Sequence, residues 1–334
     1  MIVRFSKSYS NILNIKKDFY KNNNFNLKIA MKINNFYRKQ KKRKKCKACK
    51  KKIKDFFIKN FGIYYALCPK CNHLNGKYED TDKFTNWLYY SSSGDNYSRN
   101  YLTNFHKRVK NIYLPKVDFL KSVVNRKFNL LDFGSGGGHF LRALEMRNIK
   151  AYGIEPSKSL CKLGNKFLTK NNLKNIPLDK SLNYIEKIDD VKVLSLIGVM
   201  EHLQDPNKLL KSFKKSKIEY LYFSVPLFSL SVFFENNFQT VFPRHLSGGH
   251  THLFTKESLY FLAKKYNLKI AGEWWFGTDI PDLYRSLLQS KNKSNEKIYN
   301  KNLNKYLFEI VDELQNVIDK KKMSSQVHMI FKKN

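Results

Sequence analysis

Four glycines fall within five positions at Gly134-Ser135-Gly136-Gly137-Gly138, directly after the apolar run Phe128-Asn129-Leu130-Leu131-Asp132-Phe133. Glycine costs backbone entropy in strand and helix alike, so a cluster this dense favours neither. Its use is to let main chain approach a ligand closely, between a strand and a helix that presents free N–H groups. The run before it reads as a short buried strand, and Leu141-Arg142-Ala143-Leu144-Glu145 begins the helix behind it. The rhythm continues with strands at Ala151–Glu155, Val191–Ile197, Ile218–Val225, Leu268–Phe276 and Gln326–Phe331. Between them lie helices at Ser157–Leu168, Pro206–Phe213 and Lys256–Tyr266, and a basic helical excursion at about 280–322. Strands recurring between helices predict an α/β chain with a mostly parallel sheet and helices on both faces.

Glu155 ends the second of these strands, 23 residues beyond Asp132. A carboxylate there can accept both hydroxyls of a ribose. A glycine loop with a distal acid fits a dinucleotide or S-adenosylmethionine, and the loop itself separates the two. The dinucleotide fingerprint G-x-G-x-x-G places helix N–H groups against a pyrophosphate. Here the spacing is Gly134, Gly136, Gly138, and Asp132 stands at the strand end. That carboxylate repels a pyrophosphate and suits the ammonium of a methionine moiety. The plain alternative is a tight structural turn.

Three ordered segments carry a resemblance. They are Asp132-Phe133-Gly134-Ser135-Gly136-Gly137-Gly138 with Glu155-Pro156-Ser157; Ile197-Gly198-Val199-Met200-Glu201-His202-Leu203-Gln204-Asp205-Pro206; and His252-Leu253-Phe254-Thr255-Lys256-Glu257-Ser258-Leu259. Over roughly 90–334 the chain resembles the class I S-adenosylmethionine-dependent methyltransferases. It is most similar to the subgroup of ubiquinone-biosynthesis O-methyltransferases and many sugar or small-metabolite methyltransferases. The third segment departs from the pattern by one residue between histidine and phenylalanine. The resemblance implies a Rossmann-like sheet of seven strands in the order 3-2-1-4-5-7-6, with strand 7 antiparallel. It implies cofactor contacts at Asp132, Gly134, Ser135, Gly136, Gly138, Glu155, Pro156, Gly198 and Glu201, with Asp179 as the candidate acid near adenine. Gly94 to Tyr101 resembles the aromatic N-terminal lid of some relatives, which would bring Tyr97 to the methionine end. The alternative for Tyr97 and Tyr101 is packing of the first helix.

Methyl transfer to oxygen or carbon displaces a sulfonium leaving group in line, so the protein must position the nucleophile and take its proton. Histidine is the base suited to neutral pH. Of 8 histidines, His245, His250 and His252 share one loop, and His202 follows the fourth strand. Both segments are expected at the carboxyl edge of the sheet, where ligands bind. His250 or His252 is the expected base, with His245 and Arg244 as substrate contacts and His202 as a further candidate. The spacing His-x4-His-x-His also admits a metal site, although no carboxylate or cysteine joins it in the immediate sequence.

Cys46-Lys47-Ala48-Cys49 and Cys68-Pro69-Lys70-Cys71 are two C-x2-C knuckles separated by 18 residues. Such turns place four thiolates about one zinc, leaving no open position for catalysis. Iron–sulfur and free cysteines are the alternatives. The layout is similar to sugar C-methyltransferases that carry an N-terminal zinc domain, but their segment with asparagine and proline after the first knuckle is absent. Five cysteines in 334 residues are no disulfide scaffold, which points to a reducing, cytoplasmic setting.

The expected organisation is a basic segment 1–45, a zinc-binding ribbon 46–79, a helical lid or linker 80–127 interrupted at Pro115, and the methyltransferase domain 128–334. No apolar run is long enough for a bilayer, and the first residues lack the apolar core of a signal peptide. Lys and Arg total 63 against 27 Asp and Glu, a formal charge of +36. Lysine is spread along the chain rather than clustered, as in a default solvated surface. The expected acceptor is a small molecule such as a sugar or nucleotide-sugar. RNA or protein methylation guided by the basic ribbon is the alternative, although no N/D-P-P-Y/F segment follows strand four. A non-catalytic zinc-ribbon binding protein is the third.

Overall fold

The computed structural model describes residues 1–9, 22–90, 104–246, 249–289 and 295–334. Tyr97, Tyr101, Ser247 and Gly248 lie outside the described residues. The strands are β1 (Ile2–Phe5), β2 (Ile58–Asn60), β3 (Ile63–Leu67), β4 (Leu74–Gly76), β5 (Leu130–Phe133), β6 (Ala151–Glu155), β7 (Leu173–Asn175), β8 (Val193–Ile197), β9 (Tyr220–Pro226), β10 (His252–Leu253), β11 (Leu268–Trp275) and β12 (Gln326–Lys333).

Every residue of β5 is buried, and β8 and β9 are nearly so, as strands covered on both faces must be. They lie in one sheet of order β1-β11-β12-β9-β8-β5-β6-β7. Neighbours from β9 to β7 pair in parallel, while β12 is antiparallel to both β9 and β11. Numbered among themselves, β5 to β9 with β11 and β12 stand in the order 3-2-1-4-5-7-6. The count is corrected from seven to eight, because β1 adds a parallel edge strand to β11 in the register Ile2↔Gly272 to Phe5↔Trp275. Arg4 of that strand lies over the Trp274 ring at 4.3 Å, and the Trp274 indole N–H donates to the Ser6 carbonyl at 3.0 Å.

Pro115 does not end the helix before β5. Helix Phe105–Arg108 runs through a π-turn at Val109–Tyr113 into helix Leu114–Val124. The Leu114 N–H reaches back to the Val109 carbonyl. Proline has no N–H to give and collides with the carbonyl four residues back. Shifting the ladder by one residue just before it lets the helix continue.

The cysteine module is a second, antiparallel sheet of order β10-β4-β3-β2. Its fourth strand is β10, the stretch His252–Leu253, so the ribbon is not confined to residues 46–79. Cys46, Ala48, Ile53, Cys68 and Cys71 share one apolar core with Leu131, Phe133 and Phe254. Helices Asn23–Tyr37 and Asp82–Tyr90 close the module through Phe36 against Trp87, stacked at 4.4 Å, and Tyr37 against Phe84. Among the described residues, no helix is long and apolar enough to cross a membrane.

Candidate functional site

Gly134, Gly136 and Gly138 adopt φ of +70°, +53° and +77°, the left-handed region that glycine enters without strain. A Cβ at Gly134 would stand 2.8 Å from Val199 Cγ2, so a side chain there is excluded by space as well as by φ. The loop hangs from β6, with the Gly134 and Ser135 N–H groups donating to the Ile154 carbonyl at 2.9 and 3.2 Å. Glu155 completes the hold. Its Oε2 accepts the Gly136 N–H at 2.8 Å and its Oε1 accepts the Ser157 N–H at 2.9 Å. A carboxylate has about four acceptor sites, so both oxygens keep capacity for a diol. Burial raises the Glu155 pKa, with the two N–H bonds opposing. Pro156 continues the same edge, its carbonyl held by Asn175 Nδ2 at 2.9 Å.

Asp132 is buried at the end of β5, where Oδ1 accepts from Ser195 Oγ at 2.6 Å. Burial pushes its pKa up to about 7, opposed by Ser195 and Ser135 and reinforced by Glu155. Ser135 Oγ donates to the Asp132 carbonyl at 2.9 Å. On the other side of the loop, a cleft of about 520 Å³ runs past Phe133, Asp179, Leu178, Leu182 and Leu203. Phe133 ends β5, while the others follow β7 and β8, so the cleft opens at the carboxyl edge of the sheet. Asp179 lines it beside these apolar side chains and the polar Thr85, Gln204 and Lys208.

A second cavity, about 270 Å³, is lined by Arg108, Tyr113, Lys116, Glu201, Arg244, His245 and His250 among others. The residues around the π-turn were not legible as site residues, because helical spacing alone assigns them to packing. The only signal was a lysine, Lys116, inside the apolar run Leu114-Pro115-Lys116-Val117. Its ammonium lies 4.6 Å from the Tyr113 ring centre. Glu201 and Gly198 (φ +72°) belong to the turn after β8. Burial raises the Glu201 carboxyl to about 8, and among the described residues its Oε2 has no hydrogen-bond partner.

The histidines divide. His245 Nδ1 lies 3.2 Å from Glu235 Oε1, and the same carboxylate receives the backbone N–H groups of Arg244, His245 and Leu246. Nothing in the sequence marked Glu235, which arrives on helix Leu230–Asn237. His250 Nδ1 faces the His245 carbonyl at 2.9 Å and His202 Nδ1 the Gly249 carbonyl at 3.2 Å. Burial depresses both rings, His202 to about 4. His252 is a correction. It pairs opposite Asn75 in β10, fully buried, with Nδ1 2.9 Å from His73 Nε2, and does not line the cavity. Strand pairing commits it to the small sheet, so the spacing His-x4-His-x-His does not converge. Arg244 lines the cavity and is paired with Asp282 at 2.8 Å.

The four cysteine sulfurs lie within 4.8 Å of one another, with Cys46–Cys71 at 3.7 Å and Cys49–Cys68 at 3.3 Å. Tetrahedral zinc–thiolate bonds space sulfurs by about 3.8 Å, so the set fits that ion. Asn75 Nδ2 donates to Cys46 Sγ at 3.6 Å, support of the kind that orients a ligand.

A family described as a methyltransferase domain matches residues 98–272, more than half of the chain. No curated protein matches it. Among solved structures, a SAM-dependent methyltransferase from Archaeoglobus fulgidus is similar at TM-score 0.43 and 18% identity, over 66% of this chain and 92% of that one. Magnesium protoporphyrin IX methyltransferase from Synechocystis PCC 6803, with SAH bound, is similar at TM-score 0.47 and 10% identity, over 76% and 100%. The plantazolicin methyltransferase BamL is similar at TM-score 0.46 and 16% identity, over 75% and 94%. The glycine loop and its two acids fall inside the matched region, and the chain belongs to the methyltransferase-domain family as an S-adenosylmethionine-dependent methyltransferase.

Proposed function

We propose that this chain methylates an oxygen or carbon of a small acceptor, a metabolite or saccharide precursor, held in the cavity between the π-turn and the histidine loop. The observation that carries this reading is the pairing of His245 with the buried Glu235 carboxylate on the wall of that cavity. S-adenosylmethionine supplies the activated methyl group on a sulfonium leaving group. Glu155 holds its ribose, Asp132 its ammonium, and the wall containing Asp179 its adenine. His245 takes the acceptor proton at Nε2, while Glu235 orients the ring through Nδ1–H and stabilises the imidazolium. Burial depresses the basicity of His202 and His250, which suits proton uptake poorly. Four cysteines hold a structural zinc in the ribbon, whose first knuckle lies against the turn after β8.

A screen of labelled methyl transfer onto fractionated metabolites and RNA identifies the acceptor. With that acceptor, His245→Ala and His245→Gln should each lower turnover by about 10²–10⁴ while affinity for S-adenosylhomocysteine is retained. Wild-type turnover in both variants would remove His245 as the base.

A further inference from the structure

The cavity that holds His245 is walled partly by elements that a seven-stranded sheet does not supply. β1 and β11 end together, with Phe5 opposite Trp275, and β12 starts where β9 ends, with Gln326 opposite Pro226. Lys7 follows β1 and reaches the cavity beside Phe276, whose ring centre lies 6.0 Å from Nζ. The helix before β5 supplies Arg108 and Lys116, one on each side of the π-turn Val109–Tyr113. The extra residue in a π-turn rotates the side chains on its two sides relative to each other, and such turns are frequent at functional sites.

The charge of this wall is one-sided. Among the described residues lining the cavity, Lys7, Arg108, Lys116 and Arg244 stand against a single carboxyl, Glu201. Asp282 answers Arg244 at 2.8 Å, whereas Glu201, raised to about 8 by burial, is mostly uncharged at neutral pH. Arg108 Nε is buried and has no hydrogen-bond partner among the described residues. Burial, and then the charge of Arg4, lower Lys7 to about 8, with no carboxylate of the described residues acting on it. Burial, Lys116 and Lys7 together depress the nearby His328 ring, so charges from two separate elements converge. Cations confined with so little to oppose them are costly until an anion joins them.

We propose that the acceptor carries a compact oxyanion, a carboxylate or a phosphate monoester, held by Lys7, Arg108 and Lys116 while its reacting oxygen or carbon faces His245. The inference rests on reading this cavity as the acceptor site. A guanidinium receives such a group through paired hydrogen bonds, and an ammonium adds a point charge. Holding the acceptor by its charged end fixes where its other end lies, which an in-line displacement requires. The cavity, about 270 Å³, falls below the ~300–1,000 Å³ of pockets for drug-sized ligands, so it suits a small acid. On this account the edge strand β1 has a chemical use: it carries Lys7 to the acceptor.

Benzoate and phenyl phosphate are the probes, with benzamide as the neutral control. Calorimetry uses the full chain saturated with S-adenosylhomocysteine, in about 0.15 M salt to screen the surface lysines. One saturable site is expected for at least one anion, at least about tenfold tighter than for benzamide, and the better anion tells carboxylate from phosphate. Lys7→Gln and Arg108→Gln should each weaken that site by at least about tenfold, whereas Lys110→Gln, at an exposed position of the π-turn, should not. Retained S-adenosylhomocysteine affinity checks that each variant is folded, and Lys7→Met or Arg108→Met replaces one that is not. No saturable anion binding below about 10 mM, equal affinity for benzamide, unchanged binding in either cavity variant, or an equal loss in Lys110→Gln overturns the proposal. So does an uncharged methylated product in the labelled screen, where retention by an anion exchanger is expected. The reading of this cavity as the acceptor site fails separately, through wild-type turnover in the His245 variants.

Discussion

Burial sets the charge of Asp132 before any ligand arrives. With its pKa raised to about 7, the free protein holds this carboxyl largely protonated below neutrality, whereas an ammonium beside it requires the carboxylate. Affinity for S-adenosylhomocysteine should therefore rise with pH, by about tenfold between pH 6 and 8. Calorimetry across that range checks it, and Asp132→Asn should abolish the rise. Stability runs the other way. The folded pKa lies above the unfolded value, so the native state binds the extra proton and its advantage is lost as pH climbs through about 7. Unfolding free energy should fall by roughly 2–3 kcal/mol from pH 5 to 8 on this account, and less in Asp132→Asn. Asp132 and Glu155 could be read from the sequence because strand ends place them, whatever packs around them. His245 could not be ranked above His250, since its partner Glu235 is ten residues away on a helix that only folding folds back.

The first cysteine knuckle is tied to the cofactor edge by one side chain. Buried Lys47 donates from Nζ to Asp80 at 2.5 Å and to the Leu203 carbonyl at 2.6 Å, while Asn207 Nδ2 donates to the Lys47 carbonyl at 2.7 Å. Leu203 closes the turn that carries Glu201 and His202. Lys47→Ala removes a buried charge and leaves that carbonyl without its donor, although Arg43 still pairs with Asp80 at 2.6 Å. A loss of about 3 kcal/mol in denaturant unfolding is expected, with weaker S-adenosylhomocysteine binding. The C-x2-C spacing made the cysteine knuckles legible, because tight turns are local. The link to Leu203 was not, because 156 residues separate its ends. The π-turn before Pro115 was hidden likewise: proline announced a disturbance, and the packing of Val109 and Val117 decided that the helix would continue.

The ribbon and the large sheet share one core, and β10 belongs to the small sheet while its neighbours lie in the histidine loop. Metal removal should therefore loosen both parts at once. Purified protein should contain about one zinc per chain, and Cys46→Ser or chelation should lower a single thermal transition seen equally by far-ultraviolet dichroism and tryptophan fluorescence. Two separate transitions would show independent domains. Some of the 63 Lys and Arg are paired near the ribbon, where Lys41 meets Glu79 at 3.0 Å and Lys50 meets Asp205 at 3.0 Å. Nucleic acid binding should accordingly be weak and fall steeply with salt, without displacing S-adenosylhomocysteine.

By itself, the sequence determined the alternation of strand and helix, the glycine loop with its two acids, and the paired cysteine turns, since each depends on neighbours along the chain. Only the tertiary structure decided that β1 closes the edge of the large sheet, that His252 belongs to the ribbon, and that Glu235 stands behind His245. Those outcomes depend on which distant surfaces bury each other, and local spacing carries no record of that.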